Sequence, residues 1–279
     1  MTPAPAPPRA PAPPRAPATP RVWRRHAPVT TAIRTVAQLG LAALAAWMLG
    51  RLGIQWEYVA DAPSQIGDLM GRMFPPEWSF APALAGPLVQ TINIATLGTA
   101  LAIVLSLPVA LLAARNTTLN AATYGLARLI MVISRSVDTL IWALLFIIIV
   151  GPGSLAGMCA VAVRSIGFVS KLVAEGIEEI DRGQVEAVVA TGAGRGTALL
   201  YAIVPQVRPV FAGVCIYRWD INVRESTVLG LVGAGGIGFA LNEAILGLEW
   251  SRVGMILVIV LAVVLASEAG SAWLRKRVT

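Results

Sequence analysis

Long apolar runs separated by short polar breaks dominate this chain. A helix needs ~20 apolar residues to cross a bilayer core of ~30 Å. Six runs reach that length, at about 35–54, 84–114, 121–150, 154–174, 199–219 and 253–273. Gly151-Pro152-Gly153 predicts a tight turn between the third run and the fourth. Residues 55–82 read as an acidic loop, with Glu57, Asp61, Asp68 and Glu77 against Arg72. Trp56, Tyr58 and Trp78 in that loop are the aromatics expected at a membrane interface. The pattern predicts an all-α, polytopic membrane protein with about six transmembrane helices over residues 31–279. Residues 1–30 alternate Pro and Ala with arginines, cannot bury a core, and read as a disordered cytoplasmic tail.

Composition agrees with the pattern. Of 279 residues, 56% are hydrophobic and 13% charged, with a mean hydropathy of +0.72. The net charge of +7 does not point to nucleic acid, because the basic residues fall in tails and inter-span loops. Arg21, Arg24 and Arg25 precede the first run. Arg115 and Arg128 flank the turn after the second, Arg182 and Arg195 lie in the polar stretch after the fourth, and Arg275-Lys276-Arg277 closes the chain. All fall on one side, so the positive-inside rule puts both termini in the cytoplasm of a multi-pass membrane protein. Cys159 and Cys215 lie in apolar runs and read as packed thiols. The one histidine, His26, sits in the basic tail, so no histidine-based metal site is expected.

Between the fourth and fifth runs lies a stretch of small and polar residues, QVEAVVATGAGRGTALLYAIVPQVRP (184–209). Glu186-Ala187 opens a helical pattern and Gly192-Ala193-Gly194 breaks it. A second helix resumes near Thr197 and carries Pro205 and Pro209. A short exposed helix held between two spans suits docking in a partner's groove.

This stretch resembles the cytoplasmic motif of ABC-importer permeases, E-A-A-x3-G-x9-I-x-L-P. Glu186, Ala187, Gly192 and Pro205 match it, while Val188, Ala202 and Val204 depart from it by apolar replacements. With YRWDINVRESTVLGLVGAGGIG further on, residues of about 85–275 look like the permease of phosphonate-type importers. The resemblance implies a type I ABC-importer permease fold with a cytoplasmic coupling loop at about 180–198. It implies a homodimer, a pair of ATP-binding subunits, a periplasmic binding protein, and cargo that is a small phosphorus oxyanion. In that scheme Glu186, Ala187, Thr191, Gly192, Ala193 and Pro205 couple to the ATPase subunit. This chain carries no G-x-x-x-x-G-K-[ST], so ATP and magnesium belong to the partner and this chain is a transporter subunit, not an enzyme.

Charges inside the spans are the candidate anion pathway, since a charge at the bilayer centre costs roughly 2.5–3.5 kcal/mol and normally faces a partner or a cavity. Arg135 and Asp138 stand three residues apart, on one face of a single helix. A hairpin about Gly151–Gly153 brings Asp138 level with Arg164, which predicts an ion pair and leaves Arg135 as excess positive charge. Lys171 reads as a structural charge. Arg218 and Arg224, with Asp220 and Glu225, read as the outer mouth at the end of the fifth span, or as an interfacial anchor with Trp219. Asn93, Thr96, Thr99 and Ser106 form a polar stripe that either lines a path or packs helices.

Gly233, Gly235 and Gly238 spell GxGxxG, but without the strand–turn–helix unit that a dinucleotide site requires. With Gly236 they read as close packing or a gate of irregular backbone along the pathway. Two other readings stay open: a methionine-type or other anion ABC importer, and an ion-coupled secondary transporter, against which no internal repeat is evident.

Overall fold

A computed structural model describes residues 28–278, so the basic tail with His26 lies outside the described residues. The described residues hold helices and no strand: α1 Pro28–Arg51, α2 Trp56–Met73, α3 Ala85–Ala113, α4 Ala121–Ser136, α5 Thr139–Val150, α6 Ser154–Glu178, α7 Arg182–Ala190, α8 Arg195–Ala198, α9 Val204–Leu229, α10 Ile237–Leu246 and α11 Trp250–Val278. Five stretches are long and apolar enough to cross a bilayer, and α4 with α5 forms a sixth only as a broken pair bent by 94°. Residues up to Pro63 and residues from Ser64 onward form two separate units. In the first, α1 exposes every side chain from Ala32 to Arg51, as suits a helix surrounded by lipid.

Three expectations are corrected here. Stretch 55–82 is not a loop: Trp56–Met73 is an amphipathic helix and Trp78–Leu84 a 3-10 turn. The run 121–150 is not one continuous helix, because it breaks at Val137, whose backbone is extended. The fifth span does not end at Trp219: after a π turn at Leu199–Ile203 its helix runs on to Leu229.

In the second unit α3 and α6 pack along much of their length, and small residues set the spacing. Gly98 faces Val161 so closely that a Cβ would lie 2.8 Å from it. Ala95, Ala102, Ala156 and Ala160 are fully buried. Lipid offers no hydrophobic drive between helices, so close backbone approach must supply the attraction. One core joins α3, α4, α6 and α9 around Met131, Val169, Ile177 and Val207. A second joins α10 and α11 to Met73 and Leu84, where Arg252 also meets Glu77 at 3.0 Å. The positive φ of Gly151 (87°) and Gly153 (134°) makes the predicted turn between α5 and α6.

Gly167 and Gly213 give a direct test of this packing. A Cβ on Gly167 would sit 2.6 Å from the Met131 carbonyl and 2.8 Å from Arg135, whereas one on Gly213 meets nothing within 4 Å. Gly167→Ala is expected to cost about 1–3 kcal/mol through overpacking. Gly213→Ala should be neutral or stabilising by up to about 1 kcal/mol, as for Gly→Ala in an unobstructed helix. Thermal unfolding in detergent checks both.

Candidate functional site: a broken span beside a buried polar network

The break between α4 and α5 is the centre of the site. A chain interrupted inside a membrane frees carbonyls at one helix end and N–H groups at the other, and each needs a partner. Asp138 solves one side: as N-cap of α5 its carboxylate accepts from the Leu140 N–H at 3.0 Å. Arg164 of α6 solves the other, donating from Nη1 to the Arg135 carbonyl at the end of α4 at 3.2 Å. The expected Asp138–Arg164 ion pair is therefore absent among the described ion pairs. Each residue tends its own side of the break. Nor do Arg135 and Asp138 share a helix face, since the helix ends between them.

The break also reaches into α6. Ser134 Oγ accepts from the Gly167 N–H at 2.9 Å and donates to the Val163 carbonyl. Those two groups are i→i−4 partners in α6, so the Ser134 hydroxyl docks the end of α4 directly on the backbone of α6. Gly167 is needed there because α4 backbone lies against it.

Beside the break, α9 carries polar side chains at i, i+4 and i+7. Arg218, 3% exposed, donates from Nε to Ser165 Oγ at 2.8 Å and from Nη2 to Glu225 Oε2 at 3.3 Å. Thr139, the first residue of α5, donates to the same carboxylate oxygen at 2.7 Å. Phe168 lies under the Arg218 guanidinium at 5.2 Å, a cation–π contact. Asn222 donates to Thr99 Oγ1 at 2.7 Å and to Ser165 Oγ at 3.0 Å. A second face pairs Arg224 with Asp220 at 2.9 Å, and Ser267 of α11 donates to the other Asp220 oxygen at 3.0 Å. Residues 218–225 are thus interior to α9 and tie it to α3, α5, α6 and α11. Arg218 and Asp220 are buried there, and the Arg224 guanidinium remains exposed.

The remaining candidates divide. Arg135 is exposed and forms no ion pair among the described residues. Lys171 pairs with Glu175 at 3.5 Å. Thr96 accepts from Trp219 Nε1 at 3.0 Å, so with Thr99 much of the stripe on α3 packs helices. Asn93 is exposed and lines a cavity of about 470 Å³ with Gln90, Leu97, Ser154 and Met158. Gln90 and Thr91 hold the glycine loop, accepting from the N–H groups of Gly236 (3.0 Å) and Ile237 (2.8 Å). Gly233, Gly235 and Gly236 have positive φ, and Gly238 abuts the backbone of Gly230. This is close packing of irregular backbone. Ser134, Thr139, Ser165 and Asn222 went unpredicted, although polar residues spaced 218, 222 and 225 within an apolar run were a usable signal.

Stretch 180–198 forms the expected exposed helix and turn, shifted in register. The helix α7 begins at Arg182 with Asp181 as its cap, so Glu186 lies in its middle. Glu186 and Ala187 are exposed, and none of the side chains of α7 is buried. Thr191 ends it and Gly192 turns the chain with φ of 82°. Ala193 leads to α8, and Pro205 lies at the start of α9 after a π turn at Leu199–Ile203. At the end of α6, Glu178 meets Arg128 at 3.8 Å and accepts from the Arg115 N–H at 2.8 Å. The arginine-bearing turn and α7 therefore share one end of the bundle.

Because Asp138 and Arg164 cap different helix ends, their contributions should add. Asp138→Ala is expected to cost about 1 kcal/mol, as for a lost N-cap. Adding Arg164→Gln should give the sum of the two single losses in a thermal unfolding cycle. Partial recovery in the double variant would indicate a direct pair instead.

Comparison with known proteins places this geometry. Residues 106–279 match the binding-protein-dependent transport system inner membrane component. A phosphite transport system permease protein of Stutzerimonas stutzeri is 43% identical over 237 residues, covering 85% of this chain and 86% of the relative. A phosphate-import permease protein of Mycolicibacterium smegmatis is 42% identical over 207 residues, covering 74% of this chain and 39% of the relative. Among solved structures, the inward-facing MetNI methionine ABC transporter overlays with a TM-score of 0.64 at 23% identity, covering 73% of this chain and 99% of that one. The fold is that of a type I ABC-importer permease. The chain belongs to the family of inner membrane components of binding-protein-dependent transport systems.

Proposed function

We propose that this chain is the membrane-spanning permease of an ATP-driven importer for a small phosphorus oxyanion, in the phosphite, phosphonate or phosphate class. The observation that carries this reading is the 43% identity, over most of both chains, to a relative named as a phosphite permease. Two copies would enclose the pathway. A separate ATPase pair, itself holding ATP and magnesium, would dock at α7, and a binding protein would deliver cargo from the periplasm. The arginine-rich end that bears α7 then faces the cytoplasm, which puts both termini there as well. The methionine reading rests on weaker likenesses, 23% identity by fold and 28% by sequence over only 91 residues, and the secondary-transporter reading leaves the exposed α7 without a task.

Chemistry at the break supports an anion as cargo. Arg135 is exposed beside the break with no ion-pair partner among the described residues, and Arg164 is spent on a carbonyl rather than a carboxylate. Positive groups between low-dielectric walls focus the field and draw an anion inward. Their hold must remain weak for release. Arg218 and Arg224 are paired with Glu225 and Asp220 and serve the packing of α9.

Arg135→Gln is expected to slow ATP-driven phosphite uptake into vesicles several-fold at unchanged complex yield. Arg135→Lys should restore part of it, since ammonium replaces charge but not a planar two-point contact. Arg224→Gln should instead lower the folded yield, because it leaves nearly buried Asp220 with Ser267 alone.

Glu186→Lys or Gly192→Pro should leave the permease inserted but uncoupled. Charge reversal alters the exposed face of α7, and proline excludes the positive φ that Gly192 adopts. The check is binding-protein-stimulated ATPase in the reconstituted complex, which should fall in both variants. Unchanged stimulation in both would remove α7 from coupling.

A further inference from the structure

The exposed helix α7 has little packing to fix its direction. None of its side chains is buried, and Val185 and Val188 are only half-covered. Apart from Val185, which touches the core, its anchoring comes from its ends. At the C-terminal end Thr191 bonds only within the helix, to the Val188 carbonyl at 2.7 Å. At the N-terminal end one side chain from another helix grips both backbone groups of Asp181. The Asp181 N–H donates to Gln206 Oε1 at 2.9 Å, and the Asp181 carbonyl accepts from Gln206 Nε2 at 3.4 Å. The same Nε2 donates to the Ala202 carbonyl at 2.8 Å. The Asp181 carboxylate is occupied separately, capping the Gly183 N–H at 2.9 Å.

Gln206 stands in the first turn of α9, directly after the π turn at Leu199–Ile203. Pro205 and Pro209 supply no N–H, so the helical ladder is thinned on both sides of Gln206. A π turn marks a place where a helix can change its winding. Three turns further on, the same helix carries Arg218, Asn222 and Glu225, bonded to α6, α3 and α5 beside the broken span. A displacement of α7 therefore has a hydrogen-bonded route into α9, and α9 has a route to the break.

We propose that Gln206 is the positioning residue that links α7 to α9, so that movement of α7 is transmitted into the membrane through its amide. Both faces of that amide are used: the oxygen takes an N–H, and the nitrogen gives to two carbonyls. This rests on the reading of α7 as the element that docks the ATP-binding subunit.

The test uses the reconstituted complex of permease, ATP-binding subunit and binding protein, with phosphite as the probe. Gln206→Leu removes all three hydrogen bonds at similar volume. Gln206→Glu keeps the acceptor for Asp181 and loses the donors. In Gln206→Leu, phosphite-stimulated ATPase relative to basal is expected to fall about five- to tenfold, the order for one or two neutral hydrogen bonds. Phosphite taken up per ATP hydrolysed should fall with it at unchanged complex yield, and Gln206→Glu should lie between. Stimulation at the wild-type level in Gln206→Leu overturns the proposal, and so does a loss that merely follows complex yield. Glu186→Lys, measured in parallel, separates the two failures. If Glu186→Lys loses stimulation and Gln206→Leu keeps it, the Gln206 link alone is wrong. If both keep it, the docking role of α7 has failed and the Gln206 link falls with it.

Discussion

Inside a bilayer no water is present to satisfy a backbone N–H or carbonyl, and this constraint shapes the second unit of the protein. An unbroken helix meets it without help. Once the chain interrupts a span at Val137, every freed group must find a side chain. Asp138 and Arg164 meet that need at the two helix ends, and Ser134 and Thr139 tie those ends to α6 and α9. The charges that look from the sequence like a private ion pair are two separate caps. The break leaves the end of α4, with the exposed Arg135, at a kink rather than in the middle of a straight rod.

The polar layer on α9 follows from the same economy of partners. A buried guanidinium is tolerable when its donors and charge are met, and Arg218 meets Ser165, Glu225 and the ring of Phe168. Asn222 binds Thr99 and Ser165, so one helix is fixed against two others by directional bonds rather than by apolar contact. Such bonds set register, which apolar packing between small residues leaves loose. They hold α9 to the break at one level, and Gln206 holds it to the start of α7 at another.

Hydropathy alone determined that the chain is helical and membrane-spanning, because only apolar segments of sufficient length are stable in lipid. It also located the turn at Gly151–Gly153 and the exposed α7, since glycine at positive φ and loss of apolar pattern are local properties. The resemblance carried by Glu186, Ala187, Gly192 and Pro205 reached the family. Tertiary structure decided what local pattern does not encode. An aspartate in an apolar run reads equally as half of an ion pair or as a helix cap, and only the path of the chain at Val137 distinguishes them. Arg218 and Asp220 read as part of a mouth until their partners on α6 and α11 show them buried, while Arg224 beside them stays exposed. Ser134, Ser165, Thr139 and Gln206 acquire meaning only from partners 25 to 86 residues away. Hydrogen bonds across that separation depend on helix packing, and no short window of sequence holds that information.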